Sequence, residues 1–215
     1  MPTLLHLDSS ADAQGSVSRS ITAVFAREWS RLSERHAIVR RDLLTDPPPH
    51  LPDAAMHWAP PLRRVQDRPP AEALALQEAL LAELLGADVL LIGAPLYNWS
   101  VPSSLKAWLD HIHVLGATAS FGGSARPLEG RAAVIVSARG AAYGPGAPSE
   151  GLDFAVPMLE AILGRSLGMT VETILSELTL ADRIDALAPM RPVREANIAA
   201  AEEAARQAAR RLGGR

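Results

Sequence analysis

The 215-residue chain contains no cysteine, only one lysine (Lys106), and no apolar run near the roughly 18 residues that a membrane-spanning helix requires. Without cysteine there is no disulfide scaffold, thiolate zinc site, iron–sulfur ligation or cysteine nucleophile, and the composition suits a reducing compartment. The N-terminus lacks the basic segment and long apolar stretch of a secretory signal, so the chain reads as cytoplasmic and not membrane-bound. Basic and acidic residues nearly balance, 21 against 24 for a net charge of -3, which leaves no electrostatic footprint for nucleic acid. What is present, 48% hydrophobic and 21% charged residues, describes one ordinary domain over residues 1–215. A chain of this length buries roughly 70% of its unfolded surface and needs no covalent staple.

Thr3 to Leu7 is a short, mostly apolar run leading into Asp8-Ser9-Ser10 and a small polar loop, the pattern of a buried parallel strand and its exit. From Ser18 onward, Ile21, Val24, Phe25, Trp29 and Leu32 fall at helical spacing, with Arg27, Arg31 and Glu34 on the other face. The alternation continues with strands over Ala37 to Arg41, Asp88 to Gly93, Ala132 to Val136 and Val171 to Leu178. Helices are expected over Ala71 to Leu85, Pro102 to Leu115, Leu152 to Leu167 and Glu195 to Leu212. This predicts an α/β fold: a flavodoxin-like, five-stranded parallel sheet in the order 2-1-3-4-5 with helices on both faces. Eight of the seventeen prolines lie between Pro47 and Pro70, marking residues 47–70 as an irregular surface excursion between strand two and helix two.

In an open sheet of this order, ligands bind beyond the carboxyl ends of the strands, where the strand order reverses. Three loops reach that edge. The first, Asp8 to Ser18, sets Ser9, Ser10, Gly15, Ser16 and Ser18 just before a helix start, whose unpaired N–H groups and partial positive charge suit a phosphate. One such serine would be an ordinary N-cap; five small polar residues favour phosphate binding without a lysine, as a flavin mononucleotide site requires. The second, Ala94-Pro95-Leu96-Tyr97-Asn98-Trp99-Ser100-Val101-Pro102, is stiffened by proline and offers flat apolar faces beside an amide. The third, Ser137 to Gly146, holds Arg139 and Gly140. It reads equally as positive charge beside a ring that becomes anionic on reduction, or as a surface loop whose arginine is solvated or paired with an acid.

The segment Gly-Ala-Pro-Leu-Tyr-Asn-Trp-Ser-Val-Pro-Ser-Ser-Leu-Lys-Ala-Trp-Leu-Asp, Gly93 to Asp110, resembles the signature of the FMN-dependent NADH-azoreductases, also described as NADH:quinone oxidoreductases, in the flavodoxin-like superfamily. Asp8-Ser9-Ser10 with Ser16-Val17-Ser18 is similar to that family's phosphate loop, and Ala138-Arg139-Gly140-Ala141 to its ring-side loop. The resemblance implies FMN held by Ser10, Ser16, Val17, Ser18, Pro95, Leu96, Tyr97, Asn98, Trp99, Ala138, Arg139 and Gly140. It also implies NADH or NADPH as co-substrate, a quinone or azo acceptor, and a homodimer with active sites at the interface. Tyr97, Asn98 and Arg139 would position or tune the ring, with no dedicated catalytic side chain. Two departures stand out: Ala141 replaces the second glycine of a usual pair, and Thr118-Ala119-Ser120-Phe121-Gly122-Gly123 replaces an aromatic-rich segment that helps wall the acceptor pocket.

Other constellations fail. Lys106 follows Leu105 and belongs to no phosphate-binding Gly-Lys motif, the Gly-x-Ser-x-Gly elbow is missing, and no Gly-x-Gly-x-x-Gly follows a strand. His111 and His113, two apart on an expected helix, diverge rather than share a metal. The rival reading is a flavodoxin-type electron carrier, but such carriers are shorter and strongly acidic, and a net charge of -3 fits that poorly. A member that has lost FMN and serves as a structural or regulatory dimer is a third reading.

Overall fold

A computed structural model describes residues 1–214, in which five parallel strands form one sheet in the order β2-β1-β3-β4-β5. The strands are β1 (Thr3–Asp8), β2 (Ala37–Asp42), β3 (Val89–Gly93), β4 (Ala132–Ala138) and β5 (Thr170–Ser176). The helices are α1 (Val17–Leu32), α2 (Ala71–Gly86), α3 (Ser103–Ile112), α4 (Ala155–Leu159) and α5 (Arg191–Gly213). Asp8 stands in register with Gly93 of β3 on one side and Asp42 of β2 on the other, so the chain leaves β1 where the sheet changes direction of growth.

Alternation along the central strands divides two cores. Leu5, Leu7, Leu90, Ile92, Ala133 and Ile135 face one side, packed with Leu80 and Leu84 of α2, Leu105 and Trp108 of α3 and Leu159 of α4. Leu4, Val89, Leu91, Val134 and Val136 face the other, against Ile21, Phe25 and Trp29 of α1 and the alanines Ala201, Ala205, Ala208 and Ala209 of α5. The small side chains of α5 let it lie close to α1. With both faces covered, β3 is buried from end to end, which is why it reads as an unbroken apolar run.

Several boundaries differ from the expectation, each for a local reason. The third helix stops at Ile112 instead of Leu115, because the Thr118 hydroxyl donates to the Ile112 carbonyl at 2.5 Å and accepts from the Val114 N–H at 3.0 Å. The fourth starts at Ala155 rather than Leu152, since Asp153 Oδ1 accepts from the N–H groups of Ala155 and Val156 at 2.9 and 3.1 Å. It continues into a π-helical stretch, Glu160–Ser166. β5 ends at Ser176, before Leu178 takes a φ of 63° that no strand can hold. The proline-rich stretch contains two short 3-10 turns, Ala54–His57 and Pro60–Leu62. It is pinned by fully buried His111, whose Nε2 lies 2.9 Å from the Pro49 carbonyl.

Candidate active site

The loop after β1 is built around Ser10 and Asp12. Ser9 is committed to the sheet: its N–H and hydroxyl both donate to the Gly93 carbonyl, at 3.1 and 2.7 Å, stapling the ends of β1 and β3. Buried Ser10 instead shares a hydrogen bond with the Tyr97 hydroxyl at 3.1 Å and accepts from the Asp12 N–H at 3.2 Å. Asp12 Oδ1 accepts from the N–H groups of Gly15 and Gln14 at 2.7 and 3.0 Å, closing the loop. These two donors, Gly15 first, hold its carboxyl below the usual range. Ser16 caps α1, its hydroxyl accepting from the Arg19 N–H at 3.3 Å and sharing a hydrogen bond with Ser18 at 3.1 Å. The remaining N–H groups of the first turn, those of Val17 and Ser18, have no carbonyl a turn below them.

The loop after β3 is held on the sheet by the Ala94 and Leu96 N–H groups, which donate to the Val136 and Ala138 carbonyls at 2.8 Å. Tyr97 and Ser100 then exchange N–H to carbonyl bonds at 2.9 and 3.0 Å across Asn98 and Trp99. With φ of 48° and 66°, these two have the positive φ of a primed two-residue turn. The turn aims the Tyr97 hydroxyl at the first loop, where the Ala11 N–H also donates to it at 3.1 Å. In the third loop, a Cβ on Gly140 would come within 2.6 Å of Leu180 Cδ1, so glycine there lets the segment after β5 close against β4.

Together the loops enclose a cleft of about 580 Å³. Of the residues expected to hold a ligand, Ser10, Ser16, Val17, Pro95, Leu96, Tyr97, Asn98, Ala138 and Gly140 line it; Ser18, Trp99 and Arg139 do not. Ser18 is fully buried beneath Ser16, and Trp99 is 53% exposed at the rim. Arg139 takes the acid-paired alternative: its buried guanidinium donates to Asp153 and, at 3.2 Å, to Glu177, and lies 5.9 Å from the Tyr143 ring centroid. Two carboxylates, one near α4 and one after β5, draw it away from the cleft, so its charge neutralises the wall instead of facing a ligand. The cleft is also lined by Asp12, Gly15, Thr179, Leu180, Asp182, Arg183 and Arg194. The sequence signal for the residues after β5 is topological: a parallel fifth strand delivers its following segment to the same sheet edge.

The donor set fits FMN. One end of the cleft offers hydroxyls and free N–H groups at a helix start, with no carboxylate in the first turn of α1, which suits a phosphate. The other offers Pro95, Leu96, Tyr97 and Leu180 as apolar surfaces for a ring, with the Asn98 amide at the margin. His113 is instead bonded at 2.7 Å to Ser166, and among the described residues no three acids or histidines gather as a metal site.

A family model described as "Flavodoxin-like fold" matches residues 2–210. A Kineococcus radiotolerans protein named FMN-dependent NADH:quinone oxidoreductase is 51% identical over 212 residues, covering 99% of this chain and all of that protein. A Streptomyces coelicolor protein of the same name is 43% identical, covering 92% of this chain and 89% of its own. In fold, the chain matches an azoreductase from Bacillus anthracis Sterne at a TM-score of 0.81 and 22% identity, covering 98% of this chain and 100% of that one. It also matches an FMN-dependent NADH-azoreductase from Bacillus anthracis Ames Ancestor, solved with FMN, at a TM-score of 0.79 and 20% identity, covering 98% and 99%. The chain belongs to the flavodoxin-like-fold family whose members include the FMN-dependent NADH:quinone oxidoreductases.

Proposed function

We propose that the protein is an FMN-dependent oxidoreductase that takes hydride from NADH, or NADPH, and reduces quinones or azo compounds by two electrons in a ping-pong cycle. The observation that carries this reading is one cleft at the strand-order reversal that combines a serine-lined helix start with an aromatic turn, in a chain 51% identical to a protein of that name. When bound, FMN supplies the redox chemistry, accepting hydride from the nicotinamide and passing the electron pair to the acceptor.

The chain's own residues bind and orient. Ser10, Ser16 and the first N–H groups of α1 would hold the phosphate, and the bond between Ser10 and Tyr97 links that loop to the turn that would seat the ring. Leu96 and Leu180 would shield the ring from water, and the Asn98 amide would be available to hydrogen-bond with it. Trp99, which follows the cleft-lining Asn98, and Phe154 are 53% and 56% exposed, with the Phe154 N–H donating to the Trp99 carbonyl at 2.9 Å; Leu152, two residues before Phe154, is 39% exposed. Such a patch is best covered by a second copy, placing the active sites at a homodimer interface.

Anaerobic NADH should bleach the visible absorbance of the purified flavoprotein, and a simple quinone should restore it. If NADH leaves the absorbance unchanged until a separate reductase is added, the protein is an electron carrier instead.

A further inference from the structure

Beyond the serine loop, the same cleft is walled by two arginines from the segment that follows β5, Arg183 and Arg194. Arg194 is paired with Asp182 of the cleft wall, whereas Arg183 is held only loosely. Arg183 is 75% exposed and reaches Asp12 only at 3.6 Å, across from the loop that carries Ser10 and Ser16. Asp12 has other partners, because its Oδ1 already takes the Gln14 and Gly15 N–H groups, so Arg183 is free to exchange it for a stronger anion. Arg194 is mostly buried; its Nη1 meets Asp182 at 3.0 Å, but its Nε is buried without a hydrogen-bond partner. A buried donor left unmatched is costly, so Arg194 gains from a side-chain shift that turns this N–H toward an acceptor in the cleft.

Among the cleft-lining residues the charges match in number, Arg183 and Arg194 against Asp12 and Asp182, and Asp12 is already engaged by the Gln14 and Gly15 N–H groups. The serine loop offers hydroxyls and N–H groups but no positive charge, and its one charged side chain in the cleft is Asp12, whereas a phosphate monoester near neutral pH approaches two negative charges.

Resting on the flavin reading above, we propose that Arg183 and Arg194 are phosphate-binding residues that close over the FMN phosphate opposite Ser10 and Ser16, and so make the site select FMN over riboflavin. The cradle would then have two halves: neutral donors from the β1–α1 loop and cationic donors from the segment after β5. Planar guanidinium groups suit this, since each can present two N–H donors to phosphate oxygens.

The test compares two flavins that differ only in the phosphate. Flavin-free full-length protein, wild type and the variants Arg183→Ala, Arg194→Ala and the double variant, is titrated with FMN and with riboflavin by quenching of flavin fluorescence, at low and at high salt. The expected result is an FMN Kd raised about tenfold in the double variant, an unchanged riboflavin Kd, and a weaker salt dependence for FMN. Unchanged riboflavin binding also shows that the variants are folded. Arg183→Glu, at the more exposed position, should weaken FMN further. Loss of FMN and riboflavin affinity in equal measure, or no change in either, overturns the assignment while leaving the flavin reading intact. Wild-type protein that binds neither flavin overturns both.

Discussion

Arg19 and Asp42 form a two-pronged ion pair, Nη1 and Nη2 donating at 2.8 and 2.6 Å, while Nε and Nη2 of the same guanidinium donate to the Ser10 carbonyl at 3.3 and 2.8 Å. The end of β2 thereby holds the β1 loop from beneath, without touching a ligand in the cleft. Arg19→Ala should leave Asp42 and the Ser10 carbonyl unmatched and cost about 1–3 kcal/mol of stability. The loosened loop should also weaken FMN several-fold. Thermal unfolding together with an FMN titration checks both; unaltered FMN affinity would show that the loop keeps its shape by itself.

The same pair fixes a response to acid. Hydrogen bonding to Arg19, reinforced by the Leu44 N–H and opposed by partial burial, holds the Asp42 carboxyl below its ordinary 3.8. The folded chain therefore binds fewer protons at Asp42 than the unfolded chain does in that range. The resulting stabilisation is complete above 3.8 and is lost as the pH falls through the folded-state value. Asp42→Asn should be less stable than wild type near neutrality and converge with it in acid. Denaturant unfolding from about pH 6 down to about pH 2.5 would show this; parallel curves would remove Asp42 from the acid response.

Arg139 offers a contrasting case. It is a buried cation held by two acids, Asp153 and Glu177, and Asp153 also caps α4 while Glu177 accepts from the Tyr143 N–H at 2.8 Å. Arg139→Ala should destabilise the fold by about 3–5 kcal/mol, because it strands both carboxylates, and Arg139→Lys should recover part of that. Chemical denaturation of flavin-free protein measures the cost apart from any effect on the cofactor. A loss below about 1 kcal/mol would mean that water replaces the guanidinium there.

These residues show where sequence reading reaches and where it stops. β3 is legible because its cause is local, an apolar run buried on both faces, and the loops after β1 and β3 are legible as segments of the sheet edge because small polar residues precede a helix and prolines flank aromatics. The partner of Arg139 was not, since Glu177 lies 38 positions away and only pairing of β4 with β5 brings the two together. Arg183 and Arg194 were hidden for the same reason, as nothing in the composition of residues 179–194 marks them as part of a site. The fourth helix begins three residues later than its apolar periodicity predicts, because periodicity does not register Asp153 as a cap.

Asn98 and Trp99 carry the last prediction. Both occupy the left-handed region, where a side chain other than glycine costs roughly 1–2 kcal/mol, and the turn type they form usually places glycine at the second position. A bulky, half-exposed tryptophan there is disfavoured locally, which argues that it is kept for what its ring covers rather than for the turn. Trp99→Gly should therefore raise the thermal midpoint of dilute, flavin-free protein by relaxing the turn. It should also shift sedimentation toward monomer, because the exposed ring beside Phe154 is part of the surface proposed to meet a second copy. A lower midpoint would mean that the ring's contacts outweigh the strain, and unchanged sedimentation would exclude it from self-association.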